Sequence, residues 1–82
     1  MFSMNRKKMA KKLASVGMDF FIVRAKGESV GVLDGTDSYN DAKKLHNFYE
    51  ELFSDKPDVI ELWYVDDTQI LVTAKKNSSI FL

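Results

Sequence analysis

The sequence predicts a single α+β domain with the element order α-β-β-α-β-β, in which a four-stranded, mostly antiparallel sheet packs with two helices. Two amphipathic segments are each followed by a pair of strand-like segments, and turn-forming residues separate the strands of each pair. The chain has 82 residues, which is too short for two independent cores. One domain over residues 1–82 is therefore expected, with residues 75–82 as a flexible or docking tail.

The first helix is predicted over about residues 3–16. Met9, Leu13 and Val16 recur at helical spacing, which indicates one apolar face. Gly17 is expected to end this helix, because glycine readily adopts the left-handed conformation found after helix ends.

The first hairpin is predicted from residues 19–26 and 29–34, which are rich in β-branched and aromatic side chains. Gly27-Glu28 between them suits a two-residue turn with glycine at its first central position. The register that follows pairs Ala25 with Val30, Val23 with Val32, and Ile22 with Leu33.

The second helix is expected to begin after Ser38, because Asp41 follows three residues later in the manner of a capping box. Pro57 and its polar neighbours stop it. The predicted apolar stripe has two aromatic residues at its edges; its members are Ala42, Leu45, Tyr49 and Leu52, with Phe48 and Phe53 at the edges.

The second hairpin is predicted from residues 59–65 and 68–74 around Asp66-Asp67, and it is apolar on both faces. Either the two helices cover opposite faces of the sheet, or one face is buried against another molecule. The residues that would form such a self-association or partner face are Ile60, Leu62, Tyr64 and Leu71.

The formal net charge of zero hides an asymmetry along the chain. Residues 1–16 carry five Lys/Arg and no Asp/Glu, for a net charge of +5, whereas residues 17–82 carry seven against twelve, for −5. Basic residues near a helix N-terminus interact unfavourably with the helix dipole, so these charges do not stabilise the helix. The candidate partner-binding residues of this basic helix are Arg6, Lys7, Lys8, Lys11 and Lys12. The alternatives are a solvated face, a nucleic-acid contact and a contact for an acidic protein.

Few residues are suited to catalysis. There is no cysteine, so thiolate chemistry and disulfides are excluded and a reducing compartment such as the cytoplasm fits. His46 is the only histidine and is expected on the second helix at the edge of its apolar stripe, a boundary position between core and surface. We expect no catalytic residue, no metal site and no cofactor. No segment reaches the length of a membrane span, so no membrane association is expected.

The segment Leu62-Trp63-Tyr64-Val65-Asp66-Asp67-Thr68-Gln69-Ile70-Leu71-Val72 resembles the palm hairpin of reverse transcriptases. That resemblance implies a Tyr-x-Asp-Asp turn that presents two carboxylates to metal ions. It covers only these residues, and the chain is too short for the third metal-binding aspartate, fingers and thumb of a polymerase. Incidental metal binding at Asp66 and Asp67 stays open as an alternative.

Together these observations favour a small non-enzymatic protein-binding module, a regulator or inhibitor of another protein, of bacterial, phage or mobile-element type and with a tendency to form a homodimer. The alternative is a nucleic-acid-binding accessory domain that uses the basic helix. A metal-dependent module at Asp66 and Asp67 ranks third.

Overall fold

The computed structural model describes residues 4–65, 70–74 and 80–81, the last two segments as backbone. The elements follow the chain in this order: β1 (Met4–Asn5), α1 (Arg6–Ala14), β2 (Phe20–Lys26), β3 (Ser29–Thr36), α2 (Tyr39–Leu52), β4 (Val59–Val65), β5 (Ile70–Ala74) and β6 (Ile80–Phe81). The predicted α+β class is confirmed, and the described residues form two helices and four longer strands that pair antiparallel.

Two short strands extend the sheet at its edges. The strand order is β1-β3-β2-β4-β5-β6, and every neighbouring pair is antiparallel. In β6, Ile80 pairs with Ala74 and Phe81 with Thr73. Residues 80–81 of the predicted tail therefore pair with the protein's own sheet, while residues 75–79 and Leu82 lie outside the described residues.

The first hairpin turns at Gly27, whose φ of 63° lies in the left-handed region that glycine enters without steric cost. The predicted pairs Ala25 with Val30 and Val23 with Val32 are confirmed. Both pairs lie between the turn and the middle of the strands, so the turn sets their register.

Beyond this point the predicted register is wrong, because a β-bulge interrupts it between Ile22 and Val23. Ile22 pairs with Asp34 instead of Leu33, so Leu33 is the extra residue on β3. The bulge moves Asp34 to the face covered by α2, where its Oδ2 accepts a hydrogen bond from the Tyr49 hydroxyl at 3.3 Å.

The two helices cover opposite faces of the sheet. On α1, Met9 and Leu13 are buried in a cluster with residues that alternate along β2, β3 and β4: Phe21, Val23, Ala25, Val30, Trp63 and Val65. On the other face, Ile22 and Ile60 are fully buried, and α2 packs there. The cover of α1 on one face and of α2 on the other thus explains why the central strands are apolar on both faces.

The first helix begins later than predicted. Asn5 is its N-cap and accepts a hydrogen bond from the backbone N–H of Lys8 at 2.8 Å, while Met4 and Asn5 pair with β3. The helix ends at Ala14, and Val16 beyond it is half-exposed. Apolar spacing does not show where a helix begins, whereas Asn5 does, because asparagine is a strong N-cap residue.

The second helix begins as predicted, since the Ser38 hydroxyl accepts a hydrogen bond from the Asp41 N–H at 3.2 Å. Its buried face is rotated from the predicted stripe: Ala42 and His46 are buried, whereas Leu52 is exposed. At 100° per residue, Leu52 lies about 80° from Ala42 around the helix axis, while His46 lies only about 40° away. The predicted boundary position of His46 and core position of Leu52 are therefore wrong.

Gly35 offers a test of packing at the start of β2. A Cβ at this position would lie 2.9 Å from the Met18 Sδ and 3.1 Å from Cδ1 of the buried Phe21 ring. We expect Gly35→Ala to lower the free energy of unfolding by about 1–3 kcal/mol, as overpacking does. Urea titration measures this loss.

A second variant separates the two contacts. Met18 is exposed and can move, so Met18→Ala combined with Gly35→Ala should recover only part of the loss, because the Phe21 ring remains. An unchanged stability of Gly35→Ala would contradict the packing described here.

Candidate functional site

Arg6 connects α1 to the sheet through side-chain hydrogen bonds. It is the first residue of α1, and its guanidinium forms two parallel hydrogen bonds to Glu61 on β4, Nη1 to Oε1 at 2.9 Å and Nη2 to Oε2 at 2.8 Å. The buried Trp63 donates from Nε1 to the same Glu61 Oε1 at 2.9 Å. The hydrogen bonds to Glu61 raise the pKa of Arg6, although partial burial opposes them. Both carboxylate oxygens of Glu61 are therefore satisfied inside the fold.

The predicted basic site thus divides into two parts. Arg6 pairs with Glu61 inside the fold. The other four residues are exposed along α1: Lys7, Lys8, Lys11 and Lys12. Within residues 4–65, where side chains are described, these four lysines form no ion pair. We call them the lysine face.

The opposite side of the sheet holds a second basic contact. Arg24 on β2 forms an ion pair with the buried Asp58 before β4, and its guanidinium lies 4.6 Å from the centre of the Phe53 ring at the end of α2. This contact fixes the C-terminal end of α2 against the sheet. Like Arg6, Arg24 acts within the fold.

His46 is a packing residue with a backbone partner. It is 5% exposed, and its Nε2 lies 2.8 Å from the carbonyl oxygen of Ile60, so Nε2 carries the proton and donates. Glu50 Oε2 is 3.9 Å from the same nitrogen. This oxygen is buried and has no hydrogen-bond partner within the described part of the chain.

An exposed cluster of aromatic rings lies on the α2 side of the sheet. Phe20 at the start of β2 pairs with Tyr64 on β4, and their ring centres are 5.2 Å apart. Tyr39, the first residue of α2, lies 5.6 Å from Phe20 on the other side. Tyr39 is 55% and Tyr64 38% exposed, although both are large aromatic residues. We call these three residues the aromatic patch.

Charges of both signs border the aromatic patch. The Lys43 ammonium lies 5.0 Å from the centre of the Tyr39 ring. Asp19 and Asp37, both exposed, adjoin the patch along the chain, and the Asp19 N–H donates to the Asp37 carboxylate at 3.2 Å. The Asp19 carbonyl in turn accepts from Val65 N–H at 2.8 Å, which holds this corner against β4.

Only part of the predicted self-association face lies at the surface of the protein. Ile60 is 1% exposed beneath α2 and cannot contribute to a surface in this fold. Leu62 is half-buried, Tyr64 is exposed, and the side chain of Leu71 lies outside the described residues. Alternation along β4 identified Tyr64, but it could not show that α2 covers only part of the face.

Phe20 and Tyr39 were not predicted as surface residues. Tyr39 can be found from the sequence. It precedes Ala42 by three positions and so lies beside the apolar stripe of α2, although it is not one of the residues assigned to that stripe. Phe20 had none, since its exposure depends on the helix that packs beside it.

Asp66 and Asp67, which resemble the metal-binding pair of a polymerase hairpin, lie outside the described residues. In the part of the chain that is described, no three or more His, Asp and Glu side chains group closely enough to hold a metal ion.

No described helix is long and apolar enough to cross a membrane. No protein-family model, curated protein or solved structure matches this chain.

The ion pair between Arg6 and Glu61 should be measurable in stability. We expect Glu61→Gln to lower the free energy of unfolding by about 1–2 kcal/mol, because a charge-assisted pair of hydrogen bonds is replaced by weaker ones. Arg6→Gln should cost more than Glu61→Gln, because it leaves the buried Glu61 carboxylate without its cation. The double variant should lose less than the sum of the two, and strictly additive losses would show that the two side chains do not interact.

The Tyr49 hydroxyl provides a pH-dependent test. Burial raises the pKa of Tyr49 above its ordinary value, and the nearby Asp34 charge and hydrogen bond raise it further. The folded state therefore favours the neutral phenol, and this contribution is present below about pH 10 and lost as the pH rises through the folded pKa. We expect wild type to be more stable than Tyr49→Phe at neutral pH and the difference to shrink above about pH 10.

Urea titrations at several pH values measure this difference. Tyr39→Phe, on the same helix but exposed, controls for the loss of one phenol. A difference between wild type and Tyr49→Phe that stays constant with pH would contradict the assignment.

Proposed function

We propose that this chain is a small protein-binding module that works without catalysis, as a regulator or inhibitor of another protein, and that it acts as a homodimer formed through the aromatic patch. The observation that supports this is the exposure of Tyr39 and Tyr64 around Phe20, on a sheet whose central strands are otherwise covered by both helices. The absence of cysteine fits action in a reducing compartment such as the cytoplasm.

The chemistry of the patch suits a protein partner. Tyrosine offers a large apolar surface at a small loss of side-chain entropy, and its hydroxyl can bond at the edge of an interface. Tyrosine is accordingly enriched among the residues that dominate binding energy. Phe20 packs against both tyrosine rings and so restricts their positions before any partner arrives.

The charges around the patch favour a second copy of the chain as the partner. A two-fold symmetric interface brings the same surface of each copy together, so a border of one sign would repel itself. The border of the aromatic patch carries Lys43 together with Asp19 and Asp37, so each copy offers both signs to the other. We propose a homodimer in which the aromatic patches face each other.

Light scattering over a range of protein concentrations tests this proposal directly. Wild type should increase in mean mass toward that of a dimer as concentration rises. Tyr64→Glu should remain a monomer, because a carboxylate would be buried without a partner at the centre of the interface. Thermal unfolding of the variant should remain cooperative, since Tyr64 is exposed in the monomer.

Phe48→Glu is the matched control. Phe48 is 57% exposed on α2 and is not part of the aromatic patch, so this variant should dimerise like wild type. A wild-type monomer at all concentrations would overturn the homodimer. Loss of the dimer in Phe48→Glu but not in Tyr64→Glu would move the interface to the outer side of α2.

A further inference from the structure

The lysine face occupies the side of α1 that points away from the sheet. Its four residues stand at positions i, i+1, i+4 and i+5, which covers about 140° of the helix surface. The buried Met9 and Leu13 lie on the opposite side. Every exposed side chain from residue 7 to residue 12 is a lysine.

This arrangement does not serve the stability of the helix. Lys7 with Lys11 and Lys8 with Lys12 are like charges four residues apart, which repel one another on a helix surface. The first turn has no acidic residue, so Lys7 and Lys8 also oppose the helix dipole. Of the basic residues in α1, Arg6 is the one with an ion pair in the described fold, and its partner Glu61 has both oxygens occupied.

We propose that the lysine face binds the phosphate backbone of a nucleic acid without reading its sequence. The face offers charge alone, with no exposed aromatic or large apolar side chain between its lysines, because Met9 is buried on the other side of the helix. The centres of protein interfaces are depleted in lysine and depend on apolar or aromatic anchors, whereas a phosphate backbone requires only positive charge. A membrane surface is less suitable, because the apolar side of α1 is packed in the core and cannot enter a lipid layer.

This surface is independent of the aromatic patch. α1 packs on the face of the sheet that carries Phe21 and Val23, whereas Phe20 and Tyr64 lie on the α2 side. A dimer formed through the aromatic patches would therefore retain a lysine face on each copy. Nucleic-acid binding can then be measured in Tyr64→Glu as well, and its outcome does not depend on that of the dimer.

Fluorescence anisotropy with a labelled duplex DNA of about 20 base pairs tests the proposal at salt concentrations from about 20 to 200 mM. Four lysine contacts predict that the logarithm of the binding constant falls with the logarithm of salt with a slope of about −3.6 per monomer. Lys7→Gln combined with Lys11→Gln should reduce this slope to about half.

The matched control changes one exposed lysine on the other helix, outside the border of the aromatic patch. Lys44→Glu lowers the net charge by the same two units on α2 and should leave the slope unchanged. Thermal unfolding checks the fold, and the variant at Lys7 and Lys11 should be at least as stable as wild type because a repulsive pair is removed.

Three results would overturn the proposal. The first is no binding at the lowest salt. The second is an equal loss of binding in the control variant, which would indicate an effect of net charge alone. The third is binding of poly-glutamate, or of vesicles with anionic lipids, as tight as that of the duplex, which would assign the lysine face to an acidic protein or to a membrane surface.

Discussion

The bidentate contact between Arg6 and Glu61 fixes the first turn of α1 on the sheet. Glu61 lies on β4, 55 residues further along the chain, and it also accepts the indole N–H of the buried Trp63. A carboxylate that is 5% exposed must be paired to be stable, so the helix cannot move away without leaving a buried charge behind. The packing of Met9 and Leu13 and the outward direction of the lysine face both depend on this contact.

The other face of the sheet is arranged around polar anchors as well. Arg24 pairs with Asp58 and stacks on Phe53, and His46 donates to a backbone carbonyl of β4. These contacts lie in the middle of α2 and at its C-terminal end, and the helix buries Ile60 while Tyr64 stays exposed. Phe20 and Tyr64 lie on the same sheet face beside the N-terminal end of α2, where Tyr39 adjoins them, so the position of the aromatic patch follows from where the helix is fixed.

The two proposed surfaces differ in their physical basis. The aromatic patch offers apolar area with charges of both signs at its border, which suits a protein surface of the same kind. The lysine face offers repelling charges that nothing in the described fold neutralises, which suits a polyanion. Their placement on opposite faces of one sheet allows one molecule to make both contacts.

By itself the sequence determined the α+β class, the order of the long elements, the Gly27 turn and the Ser38 cap, because these depend on spacing and on neighbouring residues. Tertiary structure decided what depends on distant partners. The bulge at Leu33 reversed the sides of β3 from Asp34 onward, and the rotation of α2 buried His46 in place of Leu52. The ion pair with Glu61 separated Arg6 from the other basic residues of α1. Hydrophobic periodicity shows which residues can be buried together, whereas packing against a particular strand decides which of them are buried and which remain for a partner.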